Sequence, residues 1–506
     1  MARLVMGLGV LLALPSSVDA GSLRGADAVA KVYDAILDAD FVRAEKLTAD
    51  ACPPAPEEAC LVLDASRLLW TIQLDPEQTR LDAAFTASVT RAIDETYAWT
   101  RREPKNAEAW FYLGGAYGAR VQWRVMRGQT LPAARDGKQI KLALEQALLL
   151  DPSMDDAQFG LGLYEYYADV APTGAKMLRW LLLLPGGNKE VGLRRMQRAR
   201  THGALLADEA AYQLHLIFLW YENSPQQALA LLKTLASTHP TNPLFQRLVA
   251  DVLDTYVHDR SASLDAYRAL LEAARAGKVE SAAQAEVEAR LGIARQLDAM
   301  GDTDLAIEEL DKILDGDPAA PYGAAAEARV QLAAAYDRIG ARTDAERLYR
   351  EVIAAPPVRD PQGVLTRARR GLVRPPDQMK AQAYGLSLEA WRQFQRGGQA
   401  AAAEDRLERA LAMDQQNTIA RYRYGRVLMA RHQDAEALVQ LDTVLRTPSL
   451  TPPTMLAEAA LAAATLHEQA HDRARAIEFY RRAASIFGAS AQTRSTAQRA
   501  LTKLQR

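Results

Sequence analysis

Residues 329–357 read RVQLAAAYDRIGARTDAERLYREVIAAPP, and this stretch decides the fold. Its small, large and turn-forming positions recur at the same offsets in residues 290–318. The matching positions are Leu332, Tyr336, Gly340, Ala345, Tyr349 and Pro357 in the first stretch, and Ile293, Leu297, Gly301, Ala306, Leu310 and Pro318 in the second. The central alanine returns at Ala403 and Ala437, which are 34 residues apart. This period predicts helix-turn-helix units that bury their apolar faces only by stacking on one another.

The composition fits a long folded array without a charge excess. The chain has 506 residues, more than a single core usually supports, and 49% of them are apolar. Its 61 basic and 63 acidic residues give a net charge of −2. This balance provides no electrostatic footprint for nucleic acid. We therefore expect several helical domains or one extended array, and no nucleic-acid partner.

The N-terminus has the pattern of a secretory signal. Arg3 supplies a positive charge, residues 4–14 form the short apolar run LVMGLGVLLAL, and residues 18–20 end in a small residue. We expect cleavage after Ala20, with an uncleaved anchor or a buried helix as the alternatives. No cysteine follows the apolar run within reach, so we expect no lipid anchor. The predicted location is therefore periplasmic or secreted.

The two cysteines, Cys52 and Cys60, enclose the proline-rich sequence PPAPEEA. In an oxidising compartment, two nearby cysteines usually pair. We predict a structural disulfide, with two free thiols as the alternative. The spacing differs from the C-x-x-C redox motif, which argues against a catalytic pair. Because the closed loop is short, the chain-entropy argument gives the bridge only a modest stabilising effect.

Changes in composition along the chain predict five segments. They are a signal peptide (1–20), a divergent N-terminal helical region with the disulfide loop (21–200), a repeat array (205–355), a Pro/Arg-rich linker (356–377) and a C-terminal array with a capping helix (378–506). Within the N-terminal region, extra residues at 121–137 interrupt one helical pair.

The stretch Met177–Leu184 is apolar apart from Arg179 and ends at the helix-stopping sequence Pro-Gly-Gly. It is too short to span a membrane. One interpretation is a buried helix at a bend between two stacks. The other is a helix that docks on a partner or a membrane, with Arg179 and Trp180 at its rim.

The recurring positions resemble those of the tetratricopeptide repeat family over residues 107–170 and 207–490. The resemblance implies an all-α, right-handed superhelical solenoid of antiparallel helix pairs that binds proteins or peptides. Some positions depart from the family pattern. Arginine replaces the aromatic residue near the start of the first helix at Arg329 and Arg421, and histidine replaces the mid-turn glycine at His432 and His471. The fold tolerates these changes because its packing depends on the pattern of small and large residues.

In this family, ligands usually lie on the concave face made by the first helix of each pair. The family's offsets place one set of side chains on that face: Leu388, Arg392, Gln395, Arg396, Tyr422, Arg426 and Met429. Four of them are the predicted binding residues: Arg392, Arg396, Tyr422 and Arg426. Because guanidinium groups match carboxylates in geometry, we expect this patch to bind a peptide carboxylate or an acidic segment. The alternative is that its arginines are solvated, or pair with Glu389 and Glu404.

One catalytic-looking motif, H-E-x-x-H, occurs at residues 467–471. On one helix face, His467 and His471 could bind zinc, with Glu468 as the general base. The repeat register, however, places His471 at the turn between two helices. Glu478, the downstream candidate for a third ligand, falls at a surface position of the second helix. We therefore predict no metal site and no catalytic residue.

These observations together predict a non-enzymatic scaffold of the bacterial cell envelope that binds a protein or peptide and needs no cofactor. Two alternatives stay open from the sequence. One is a zinc-dependent hydrolase that uses residues 467–471, and the other is a peripheral membrane assembly factor that docks through residues 177–184.

Overall fold

The computed structural model describes residues 23–170 and 186–505. These residues form 24 α-helices and one short 3-10 helix, without any β-strand. The predicted all-α class of antiparallel helix pairs is therefore confirmed. The signal peptide and the apolar stretch Met177–Leu184 lie outside the described residues, and their roles stay predictions. Within the described part of the chain, every helix is too short or too polar to cross a membrane.

Among the described residues, the first of two compact units contains residues 23–36, 41–69, 82–170 and 186–210. Its described helices are α1 (Ala26–Leu37), α2 (Phe41–Ala51), α3 (Glu57–Leu74), α4 (Asp82–Arg102), α5 (Ala107–Met126), α6 (Thr130–Leu150), α7 (Ala157–Val170) and α8 (Lys189–His202). From α4 onward, each helix packs against the next one. The last residues of α1 and α3 belong to the second unit.

Two predictions for the first unit can be compared with its structure. Cys52 and Cys60 form a disulfide with a Cα–Cα distance of 6.4 Å, which confirms the predicted bridge. The extra residues at 121–137 lengthen both helices of the α5–α6 pair, because they continue α5 to Met126 and begin α6 at Thr130. Gly114 lets the two helices approach, since a Cβ atom there would lie 2.5 Å from Leu144 Cδ2.

The second unit contains the described residues 37–40, 70–81 and 211–505. Its helices are α9 (Ala207–Trp220), α10 (Pro225–Thr238), α11 (Pro243–Thr255), α12 (Arg260–Arg275), α13 (Ala282–Met300), α14 (Thr303–Asp315), α15 (Ala324–Arg338), α16 (Arg342–Ala354), α17 (Val364–Val373), α18 (Gln378–Gln395), α19 (Ala400–Met413), α20 (Thr418–Ala430), α21 (Asp434–Arg446), α22 (Pro453–Gln469), α23 (Arg473–Ser485) and α24 (Ala491–Gln505). From α11 onward, nearly every helix packs on the next, and the first helices of successive pairs, such as α18 and α20, also pack on each other. This double contact is how a stacked repeat buries its apolar face.

The helix pair α15–α16, which contains most of residues 329–357, has the predicted form. Leu332 on α15 and Tyr349 on α16 are buried, and so is Ala345 at their crossing. The turn between them passes through Gly340, which has a φ angle of +83°. Glycine adopts this left-handed conformation without the steric cost that a Cβ atom brings. The repeat spacing therefore predicts both the helices and the turn.

Two segments from before residue 82 complete the second unit. The Leu37 carbonyl oxygen accepts a hydrogen bond from the Asn242 side chain at 2.7 Å. The Glu77 carboxylate pairs with Arg359 at 3.0 Å. These contacts reach residues that precede α11 and α17.

Residues 356–377, predicted as a Pro/Arg-rich linker, contain the ten-residue helix α17. Val364 and Ala368 on this helix are buried against the array. Its partner helix α16 lies directly before it in sequence, and the two pack together. The segment therefore contains a helix that packs on the array, and the predicted domain boundaries, including those of the linker, stay predictions.

Candidate functional site

The predicted binding patch lies on α18 and α20, and two side chains fix where these helices begin. Asp377 caps α18 by accepting hydrogen bonds from the backbone N–H groups of Met379 and Lys380. Asn417 caps α20 in the same way through the N–H of Ala420. Such caps satisfy donors that lack a partner within the helix. The helical register from these caps places Arg392 and Tyr422 on neighbouring first helices.

Arg392 is held within the chain rather than open to a ligand. Its guanidinium donates to Asp302 at 2.7 Å and to Asp304 at 2.5 and 2.8 Å. Its side chain is only 16% exposed. Burial alone would lower the pKa of Arg392, but the bonds to Asp304 and the charge of Asp302 outweigh that effect and raise it. The predicted alternative partners, Glu389 and Glu404, are not the ones used.

The acidic partners of Arg392 lie in residues 301–304, which comprise the α13–α14 turn and the first two residues of α14 and which we name the inserted turn. The Gly301 carbonyl oxygen accepts hydrogen bonds from Tyr384 at 2.8 Å and from Arg423 at 2.6 Å. Arg423 is completely buried and also donates to Ser387 at 2.8 Å. The α18–α20 face therefore binds a turn from an earlier repeat of the same chain, through backbone and carboxylate groups together.

Tyr422 and Arg426 form a second part of the predicted patch. Tyr422 is buried, and its hydroxyl donates to the carboxylate of Glu458 on α22. Arg426 donates to the Tyr422 hydroxyl at 3.0 Å, and its guanidinium carbon lies 5.9 Å from the ring centroid. Burial, followed by the charge of Glu458, raises the pKa of Tyr422, so the phenol stays protonated at neutral pH. Arg426 remains half-exposed beside this pair.

Arg396 differs from the other three predicted residues. It follows the last residue of α18 and is exposed to solvent. Within residues 23–170 and 186–505, its side chain has no ion pair. The structure thus places the four residues on adjacent helices, but it leaves only Arg396 and part of Arg426 accessible. Their role in binding stays a prediction.

The H-E-x-x-H motif does not form a zinc-binding face. Helix α22 ends at Gln469, and His471 lies beyond it with a φ angle of +61°. His467 instead stacks on the ring of Phe479, with the centroids 5.4 Å apart. In the described part of the chain, no cluster of three or more ligating side chains could hold a metal ion.

Glu468, the general base of the hydrolase alternative, is also held by other groups. It accepts a hydrogen bond from Tyr480 at 2.7 Å, and Lys503 approaches within 3.4 Å. The bond from Tyr480 lowers the pKa of Glu468, which makes the carboxylate a weaker base. Glu478 is exposed and pairs with Arg475. The geometry therefore gives no support to the hydrolase alternative.

A second charged surface lies on α17 and the start of α18, and sequence reasoning missed it. Arg369, Arg370 and Arg374 are exposed, as is Lys380. Within residues 23–170 and 186–505, none of these four side chains has a hydrogen bond or an ion pair. The only sequence signal for this surface is the group of arginines in residues 355–377. Because prolines surround these arginines, the composition of the segment indicates a linker.

Comparisons with known proteins agree with the helical repeat. A family model described as "Tetratricopeptide repeat" matches residues 396–448, which contain the α19–α20 junction and the Tyr422 site. A search of curated proteins finds no match.

Three solved structures are similar to this chain at low sequence identity. A tetratricopeptide repeat protein from Parabacteroides merdae ATCC 43184 is 14% identical, with 59% of this chain and 99% of that one covered and a TM-score of 0.28. The P58(IPK) TPR domain is 13% identical, with 88% and 99% covered and a TM-score of 0.29. A Rap protein, solved in complex with competence and sporulation factor, is 13% identical, with 95% and 99% covered and a TM-score of 0.32.

Proposed function

We propose that this chain, a tetratricopeptide repeat protein, is a non-enzymatic scaffold of the bacterial cell envelope that binds a protein or peptide partner. Stacked helical repeats present extended surfaces of a kind that is typical of protein–protein interaction. The signal-like sequence of residues 1–20 supports export to the envelope. The positions of His467 and His471 support a role without zinc catalysis.

One observation carries the proposal: the α18–α20 face already holds an acidic turn of the same chain. Arg392 donates hydrogen bonds to two carboxylates of this turn. Buried Arg423 donates a hydrogen bond to a backbone carbonyl oxygen of the same turn. Guanidinium groups match carboxylates in geometry. The same chemistry supports binding of an acidic or extended segment of a partner.

The proposed binding residues are Arg392, Arg396, Tyr422 and Arg426. Arg396 and Arg426 can meet a partner as they stand, because they are exposed or half-exposed. Arg392 can serve a partner only when Asp302 and Asp304 release it. Tyr422 would act mainly by holding Arg426 in place, through their hydrogen bond.

Site-specific crosslinking in the native envelope tests this proposal. A photoreactive amino acid would replace Arg396 or Arg426, and the exposed Arg409 on α19 would serve as a matched position off the proposed face. We expect a defined crosslinked partner from the first two positions and none from Arg409. The double variant Arg396→Gln/Arg426→Gln should weaken capture of that partner. Equal capture by this variant, or equal crosslinking at Arg409, would contradict the proposed face.

Location is tested separately, by fractionating cells that express the full chain or a chain lacking residues 2–20. We expect the full chain in the periplasmic or secreted fraction, and the shortened chain in the cytoplasm. Full-length protein that stays in the cytoplasm would contradict the envelope assignment without affecting the binding face.

A further inference from the structure

Helix α17 has one face fixed against the array and one face turned outward. Val364 and Ala368 are buried on the inner face. Gly371 lies against the ring of Tyr349, since a Cβ atom there would lie 2.3 Å from the ring carbon Cζ. This close contact packs the helix against Tyr349. The outward face presents Arg369 and Arg370 to solvent.

The other arginines around α17 show that pairing is the rule in this part of the chain. Arg342 pairs with Asp337 at 2.9 Å and with Glu346 at 2.9 Å. Arg367 on α17 itself pairs with Glu327. Four cationic side chains differ from these arginines, because they have no ion pair within residues 23–170 and 186–505: Arg369, Arg370, Arg374 and Lys380.

Apolar side chains are exposed among these cations. Val373 is 79% exposed and Met379 is 56% exposed. All residues from 373 to 380 are exposed, and the two prolines at 375 and 376 restrict the backbone between the helices. We name residues 369–380 the basic surface. Because the chain has a net charge of only −2, the positive charge here is local and not a property of the whole protein.

We propose that the basic surface docks an acidic segment of a partner protein, one that carries apolar side chains among its carboxylates. The guanidinium groups would pair with the carboxylates, and Val373 and Met379 would contact the apolar residues. A membrane is the weaker fit, because helices that lie on membranes use a broad apolar face. The apolar face of α17 is already buried in the array. This surface is separate from Arg396 and Arg426, so the inference goes beyond the proposed function.

Binding of a defined probe to the full-length chain tests the inference. The probe is a fluorescein-labelled peptide of glutamates interrupted by leucines, measured by fluorescence anisotropy at low ionic strength. We expect saturable binding that weakens steeply as salt is added, because exposed charge pairs are screened. The triple variant Arg369→Gln/Arg370→Gln/Arg374→Gln should bind about tenfold or more weakly.

One control variant separates this surface from general charge. It is Arg268→Gln/Arg275→Gln/Arg409→Gln, which removes three exposed arginines elsewhere on the second unit. This control should bind the peptide as the wild type does, and circular dichroism would verify that every variant is folded. Arg396→Gln/Arg426→Gln is measured for comparison, because the face of α18 and α20 is itself proposed to bind an acidic segment, and we expect it to lose less peptide affinity than the triple variant of the basic surface.

Other outcomes would overturn the proposal. An equal loss of binding in the control variant would show a general charge effect, and a larger loss in Arg396→Gln/Arg426→Gln than in the triple variant would place the peptide on the other face. Binding to vesicles of phosphatidylglycerol and phosphatidylcholine, without binding to the peptide, would make the surface a lipid contact. Absence of peptide binding in the wild type would also refute the proposal, and the crosslinking test at Arg396 and Arg426 would be unaffected.

Discussion

At the scale of single residues, the repeat register predicts where the chain turns, even where the usual glycine is missing. Gly301 and Gly340 occupy the turn with φ angles of +92° and +83°. His432 and His471 occupy the same position with φ angles of +60° and +61°. The sequence could predict this because the turn position is set by spacing. It also explains why a motif for zinc binding fails here, since a turn separates its two histidines.

The histidines in these turns carry a conformational cost that glycine would remove. The left-handed conformation costs a residue with a Cβ atom about 1–2 kcal/mol. Replacing histidine by glycine removes this cost, but the greater conformational freedom of glycine in the unfolded chain offsets part of the gain. We expect His471→Gly to raise the free energy of unfolding by about 0.5 kcal/mol, because the exposed imidazole gives up no hydrogen bond found in the structure. Urea unfolding measures the change. His432→Gly should act in the same direction, and destabilisation in both variants would contradict this account.

His215 on α9 should make stability depend on pH. It is completely buried, and burial lowers its pKa to about 4. Its Nδ1 atom contacts the Tyr212 carbonyl oxygen, which can only accept, so Nδ1 carries the proton of the neutral ring. The unfolded chain binds a proton below its ordinary pKa of about 6.5, whereas the folded chain does not until about 4. The contribution of His215 to stability is therefore fully present above about pH 6.5, and it is lost as the pH falls toward 4.

The expected loss from His215 is about 2 kcal/mol between pH 7 and pH 5, measured by urea unfolding at each pH. His215→Phe should flatten this part of the pH profile, because phenylalanine fills a similar volume and does not titrate. The exposed His202 provides the matched control, and His202→Gln should keep the wild-type slope. An unchanged slope in His215→Phe would show that other groups cause the loss.

At the scale of helices, the periodicity predicts which segments pair but not how closely each pair approaches. The α17 helix shows a further limit. Prolines at 356, 357 and 361 precede it and prolines at 375 and 376 follow it, so its segment has the composition of a linker. The helix lies between the prolines and is stabilised by burying Val364 and Ala368. Tertiary burial of this kind cannot be read from local composition.

A close helix crossing in the first unit gives a test of packing. A Cβ atom on Gly192 of α8 would lie 2.7 Å from both the Gly162 carbonyl oxygen and the Tyr166 backbone nitrogen of α7. Because backbone atoms cannot move aside as a side-chain end can, we expect Gly192→Ala to lower the free energy of unfolding by about 1–3 kcal/mol.

Gly118 on α5 is the matched control for Gly192. A Cβ atom there would meet no atom within 4 Å, so alanine should be accepted. Its better helix propensity should then raise stability by about 0.5–1 kcal/mol. Guanidinium unfolding of both variants compares the two effects, and equal changes of the same sign would show that helix propensity, not the crossing, decides.

At the scale of the whole second unit, the inserted turn is the contact that the sequence could not reveal. Arg392 and its partners are 88 and 90 residues apart in the chain. A repeat period describes only neighbours, because each unit of a solenoid is expected to contact the next. The repeat register therefore could not reveal that the chain's own turn contacts Arg392, and the role of this face in binding stays a prediction.

This long-range contact should couple the stability of the two sets of repeats that it joins. In a simple stack, changes in distant repeats act independently. We expect a double-mutant cycle between Arg392→Ala and Asp302→Ala/Asp304→Ala to give a coupling free energy of about 1–3 kcal/mol, because these charged hydrogen bonds are partly buried. Chemical unfolding supplies the free energies, and hydrogen exchange should show faster opening of α18 and α14 in the same variants. The exposed pair of Arg347 and Glu351 provides a reference cycle that should give only about 0.3–0.5 kcal/mol. If the Arg392 cycle gave no more than this reference, the inserted turn would be a passive contact, and a partner could reach Arg392 at little cost.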